Sequence, residues 1–303
     1  MMEELLTKFR GHLELERGAS PYTLRNYTSD LREFLGFLRA EGIISLEMVD
    51  PPLLRRYLSW LLEQGKARSS IARKMSALRS FYRYLTAESL ISSNPLETAS
   101  SVRQEKRLPG FLSLEDMNRL LAAPDASTPH GLRDRAILEL LYACGLRVSE
   151  IVKLDLEQVD LETRQIRVWG KRSKQRLALM GVPAATALAA YLSKGRPKLL
   201  KKRRSPALFV NRYGGRLVQR RIQYLVKEYA AKAGLDNSVH PHLLRHTFAT
   251  HLLDGGADLR VVQELLGHAS LSSTQIYTHV SQSQARKIYL AAHPMAQQER
   301  GEG

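Results

Sequence analysis

The sequence contains a single cysteine, Cys144, among 303 residues, so no disulfide can form within the chain and a reducing, cytoplasmic setting is expected. It has no run of about 18 apolar residues, and it opens with the acidic pair Glu3 and Glu4 where a secretory leader would place basic residues before an apolar stretch. Neither membrane insertion nor secretion is expected. There is no Gly-x4-Gly-Lys-Ser/Thr loop and no carboxylate cluster suited to two metal ions, so nothing points to nucleotide-driven or two-metal chemistry. Acidic residues are also missing from one long stretch: Arg164 to Lys227 holds 18 Lys or Arg and no Asp or Glu.

What remains is the composition of a folded globular protein, 44% hydrophobic and 25% charged, with length enough for two ordinary domains. The net charge is +16, from 46 basic against 30 acidic side chains. Residues 1–100 carry only +2 of it and residues 101–303 carry +14. A single-signed field of this kind attracts polyanions. A solvated basic face without a ligand is the plain alternative, but phosphate neutralisation makes double-stranded DNA the better-matched partner.

Apolar periodicity divides the chain. Residues 1–100 read as a small all-helical bundle of four helices. Ser20-Pro21 and Asp50-Pro51 are N-cap signals, followed by stripes such as Leu24, Tyr27, Leu31, Phe34 and Leu38. A further helix is expected from Ser70. Between Gln64 and Ala87 lie six basic residues and no acid, which suits a solvated helix face and DNA contact equally. Residues 101–110 lack an apolar period and read as a linker. Residues 111–303 read as a larger α+β domain. Ser113 opens it with a Ser-x-x-Asp capping pattern, helices follow, and Arg164–Trp169 with Arg176–Met180 alternate as a β-hairpin around a turn at Gly170–Lys174. A strand is expected at Leu208–Asn211, and a solvated basic loop at Lys194–Arg204. The fold class is thus mainly α, with a small antiparallel hairpin in the second domain.

Six of the nine histidines fall between His240 and His279. His242 and His246 have the spacing by which two imidazoles can share zinc, yet Leu243 stands where a zinc-protease helix carries its glutamate, and no other ligands complete a sphere. No metal or other cofactor is expected. His242 and Arg245 also share one helical face, which suits phosphoryl chemistry, since a five-coordinate phosphorus is best met by fork-shaped guanidinium groups. Taken singly, such a pair is ordinary.

The wider set is less ordinary: Gly145-Leu146-Arg147-Val148-Ser149-Glu150, Gly170-Lys171, His242-Leu243-Leu244-Arg245-His246, Leu266-Gly267-His268 and Gln275-Ile276-Tyr277-Thr278-His279. In order and spacing these resemble the active site of the tyrosine recombinases, or λ-integrase family, over essentially the whole chain. The resemblance implies a SAM-like core-binding domain ahead of a catalytic domain, and a 3′-phosphotyrosyl intermediate formed by Tyr277. It implies that Arg147 and Arg245 clamp the phosphate with His268, that Lys171 protonates the 5′ oxygen, and that His242 handles the tyrosine proton. No ATP or metal would be needed. Glu150 is either an orienting residue or an ordinary helix-surface ion pair.

The stretches Val262-Gln263-Glu264-Leu265-Leu266-Gly267-His268 and Ser273–His279 are similar to the Xer subfamily, which resolves chromosome dimers at dif sites during division. The partners so implied are a dif-like duplex, a sister recombinase or further copies of the chain in a tetramer on DNA, and a DNA translocase of the division septum. After Lys171 this chain has Arg172-Ser173-Lys174 where the family commonly has a glycine, so Lys174 is a rival for the acid role. A type IB topoisomerase-like enzyme, a phage or transposon integrase, and a DNA-binding protein without chemistry are the competing readings.

Overall fold

The computed structural model describes residues 2–15, 19–97, 110–169, 175–267 and 282–297. The chain forms two compact units, Met1–Lys106 and Arg107–Gly303. Of the segment expected as a linker, all but Gly110 lies outside the described residues.

The first unit consists of α1 (Met2–Leu15), α2 (Pro21–Ala40), α3 (Pro51–Glu63) and α4 (Arg68–Ala87). Capping sets the starts of α2 and α3. Ser20 Oγ accepts from the Thr23 N–H at 3.1 Å and Asp50 Oδ1 from the Leu53 N–H at 2.7 Å, each followed by a proline whose missing N–H is not needed at that position. α4 begins two residues before Ser70, because Ala67 takes the N-cap place without any side-chain acceptor. The apolar stripes meet in one core that includes Leu31, Phe34, Tyr57, Leu78, Phe81 and Leu85. The six basic residues of 64–87 do not share one environment. Lys74 is buried, its Nζ 3.0 Å from both Asp30 Oδ1 and Glu33 Oε2, and Arg73 donates to Asp30. Both neutralise acids of α2, and Lys74 is not part of a solvated face.

The second unit opens with α5 (Leu114–Ala122), α6 (Pro129–Ala143) and the short α7 (Val148–Ile151). α6 reads apolar nearly all round from Ala136 to Ala143, and it is buried all round at the centre of the unit. Its one acid there, Glu139, is pushed up to about 7 by burial. A three-stranded antiparallel sheet follows, β1 (Val159–Asp160), β2 (Gln165–Trp169) and β3 (Gln175–Leu179), in the order β1-β2-β3. The hairpin has Trp169 opposite Gln175 and Ile166 opposite Ala178, and β1 adds a third strand that periodicity does not reveal. Then come α8 (Val182–Ala190), a π-helical turn at Tyr191–Gly195, α9 (Arg196–Leu200), α10 (Gln219–Lys232), α11 (Pro241–Asp254), α12 (Leu259–Leu266), α13 (Gln282–Ala292) and α14 (Pro294–Gln297). Among the described residues, no helix is long and apolar enough to cross a membrane.

Two local expectations are corrected. Leu208–Asn211 forms no strand in the sheet. Val210 only bridges Arg216, closing a turn in which Asn211 Oδ1 accepts from the Tyr213 and Gly215 N–H groups. The segment Lys194–Arg204 is not one solvated loop. Arg196–Leu200 is helical, and Arg196 is buried, with Nη2 donating to the carbonyls of Ser205 at 2.7 Å and Ala207 at 2.8 Å.

Candidate active site

Arg147, His242 and Arg245 are described, whereas Lys171, Lys174, His268 and Tyr277 lie outside the described residues. The three described residues come together. Arg147 is the N-cap residue of α7, placed by a sharp turn at Gly145 whose φ is +55°. That left-handed turn requires glycine, because a Cβ there would come within 2.6 Å of the Phe248 ring and 2.9 Å of Leu266 Cδ2. The turn also aims the Gly145 carbonyl at Arg245, whose Nη1 donates to it, while Nη2 donates to the Leu266 carbonyl at 2.6 Å. Arg245 is therefore fixed on both sides by backbone. Burial and the nearby Arg147 pull its guanidinium down to about 10, so it stays a cation at neutral pH.

Glu150 holds Arg147 twice. Its Oε2 accepts the Arg147 backbone N–H at 2.9 Å and its Oε1 accepts Arg147 Nη1 at 2.8 Å. Glu150 is buried while the Arg147 side chain is 36% exposed, so the carboxylate is part of the site's interior and not a surface ion pair.

His242 stands one turn before Arg245 on α11 and is exposed. Partial desolvation, then His240, Arg245 and Arg147, hold its pKa below the ordinary histidine value. Arg147 and His242 line a cleft of about 420 Å³ with Ser149, Gln223, Tyr224 and Lys227. The Tyr224 hydroxyl accepts from Arg220 Nη2 at 3.0 Å, which pulls that phenol below its usual value. His251, by contrast, is buried with Nδ1 2.7 Å from the Tyr142 hydroxyl, a packing role. Among the described residues, no three His, Cys, Asp or Glu side chains group closely enough to hold a metal ion.

Sequence reasoning missed Arg176. It lies on β3 opposite Val168, and its Nη2 donates to Glu150 Oε2 at 2.9 Å and its Nη1 to the Leu265 carbonyl at 2.9 Å. Residues directly opposite on paired strands share a face, and here that face carries the buried Ile166, Val168 and Ala178. An arginine on the inward face of an alternating strand was the available signal.

Known proteins match nearly the full length of the chain. The family model described as Phage integrase family matches residues 110–284, and that described as Phage integrase, N-terminal SAM-like domain matches residues 6–89. A tyrosine recombinase XerC from Pelotomaculum thermopropionicum is 45% identical over 300 residues, covering 96% of this chain and 98% of that one. A tyrosine recombinase XerD from Staphylococcus epidermidis is 39% identical over 295 residues, covering 97% of this chain and all of its own. The solved structure of the XerH site-specific recombinase bound to its difH substrate before cleavage superposes with a TM-score of 0.65 at 26% identity, covering 93% of this chain and 83% of that one. The chain belongs to the phage integrase family and is a tyrosine recombinase, an enzyme that cleaves DNA and rejoins it.

Proposed function

We propose that this tyrosine recombinase acts in the manner of XerC, in the cytoplasm, resolving chromosome dimers by site-specific recombination at a dif-like site before division. The two domains are those of residues 1–100 and 111–303, joined by the 101–110 linker. The observation that carries the reading is the convergence of Arg147, Arg245 and His242 on one cationic site beside an open cleft. The higher identity to XerC than to XerD supports the XerC-type role. A XerD-like sister, or further copies of this chain, complete a tetramer on DNA, with a septal DNA translocase as the activating partner.

In this scheme the Tyr277 hydroxyl attacks the scissile phosphorus, the bond to the 5′ oxygen breaks, and the enzyme is left joined to the 3′ phosphate. His242 takes the phenol proton, for which its neutral form at pH 7 is the competent one. Lys171 gives a proton to the leaving 5′ oxygen. Arg147 and Arg245, with His268, meet the charge that develops on the non-bridging oxygens. Being anchored before DNA arrives, the two guanidiniums need little reorganisation at the transition state. The phosphotyrosyl bond keeps the energy of the broken phosphodiester for rejoining.

A suicide-substrate assay on a dif-like duplex, with and without a sister recombinase, tests the reading. Covalent adduct is expected from the wild type and from Tyr224→Phe, whose phenol lines the cleft, and none from Tyr277→Phe, which should still bind DNA. An adduct in Tyr277→Phe overturns the nucleophile. Relaxation of supercoiled DNA without recombinant product would favour the topoisomerase-like reading instead.

A further inference from the structure

We infer that Arg176 is a positioning residue for strand cleavage, its guanidinium bracing the β2–β3 hairpin at once against the Arg147 turn and against the end of α12. The inference rests on the reading above that Lys171, in the sequence between β2 and β3, protonates the leaving oxygen.

The Arg176 side chain is only 13% exposed, and its two terminal nitrogens serve different elements. Nη2 reaches Glu150 Oε2 at 2.9 Å, and Glu150 in turn holds Arg147 Nη1 at 2.8 Å. Nη1 reaches the Leu265 carbonyl at 2.9 Å. The last carbonyls of a helix have no partner within it. At the end of α12 two consecutive ones, Leu265 and Leu266, are taken by Arg176 and Arg245 from separate elements. Gly267 follows with φ +65°, and a Cβ there would come 2.8 Å from Arg176 Cδ. Bare backbone at this point lets the arginine pass beside the end of α12.

A residue needed only for packing on this strand face would be apolar, as Ile166, Val168 and Ala178 are. A buried charged fork is an expensive way to fill space, but its planar geometry fixes the elements it joins. Lys171 precedes Arg176 in the segment that joins β2 to β3, where Trp169 pairs with Gln175. Releasing the brace lets the hairpin shift relative to Arg147, and a displacement of about 1 Å at a reacting group costs on the order of 10²-fold in rate.

The test is single-turnover cleavage of a suicide duplex, with an ordinary and with a 5′-bridging phosphorothiolate scissile linkage, by the wild type, Arg176→Met, Arg176→Lys and Lys171→Ala. Arg176→Met is expected to slow cleavage of the ordinary linkage on the order of 10²-fold while its affinity for the duplex changes by less than about threefold. It should regain most of that loss on the phosphorothiolate, whose leaving group needs no proton. Arg176→Lys keeps the charge but cannot reach both partners, and it should fall between. Wild-type cleavage by Arg176→Met overturns the inference, as does a slow rate that the phosphorothiolate leaves unchanged while Lys171→Ala is rescued. Should Arg176→Met fail to bind DNA, wild-type cleavage by Arg176→Lys overturns it. Failure of rescue in both Lys171→Ala and Arg176→Met overturns the acid role of Lys171, and with it the route by which Arg176 acts.

Discussion

His242 shows how a single side chain is tuned by its neighbours. Partial desolvation and three nearby groups, His240, Arg245 and Arg147, all disfavour its charged form, so it is neutral at pH 7, the form in which the proposed scheme has it accept the tyrosine proton. The direction fixes the pH profile. The competent form is lost only as pH falls through a value below the ordinary ~6.5 of histidine. Single-turnover cleavage should therefore stay level down to about pH 6.5 and decline below it, and in His242→Gln that acid limb should disappear along with most of the rate. A limb centred above the ordinary histidine value would rule out His242 as the base. Glu150 is the opposite case. The sequence leaves it balanced between a surface ion pair and an orienting role, and its burial with bonds to Arg147 and Arg176 decides for the second.

At the scale of elements, the join between α2 and α4 depends on charge as well as on apolar packing. Asp30 is buried against Lys74 and Arg73, so Lys74→Ala strands a carboxylate with one partner fewer. Removing one member of such a buried pair costs about 3–5 kcal/mol, and the loss should appear as a lower urea midpoint for the isolated unit of residues 1–106 or for its transition in the full chain. Recovery is expected in Asp30→Leu/Lys74→Met, because an apolar pair of similar volume needs no counter-charge. No loss in Lys74→Ala would mean that Arg73 alone compensates the buried Asp30. These pairings also mark how far local sequence signals reach. Capping residues and three- and four-residue apolar steps make α2 and α3 legible to within a residue, since both signals are local. The pairing of α4 with Asp30 and the brace from Arg176 to Leu265 join residues far apart in the chain, so no local pattern names the partner, although the inward-facing Arg176 is itself visible in the alternation of β3. The segment at Lys194–Arg204 misleads for the same reason: the carbonyls that Arg196 serves come from a loop formed only when the unit folds.

For the molecule as a whole, the charge of +16 divides into two populations. Arg176, Arg196, Arg203 and Arg216 are engaged internally, Arg203 with the Tyr213 carbonyl at 2.7 Å and Arg216 with the Val152 and Leu154 carbonyls at 3.0 Å. Lys194, Lys198, Lys201, Lys202 and Arg204 are exposed and keep their field for a polyanion. Lys201→Ala/Lys202→Ala should lower the slope of log affinity for duplex DNA against log salt by up to about 2, one for each phosphate no longer neutralised, while the adduct yield from bound DNA is unchanged. An unchanged slope would place these lysines off the DNA path. A lower slope would assign the exposed lysines to holding DNA, whereas Arg176, bonded to Glu150, helps to build the site. What α12 gives the site is a pair of backbone acceptors at Leu265 and Leu266. Other apolar side chains at those two positions would leave both acceptors in place. One residue inserted or deleted within α12 would turn its end by about 100° and carry both away from their guanidiniums. The site is thus more sensitive to the length of this helix than to its composition.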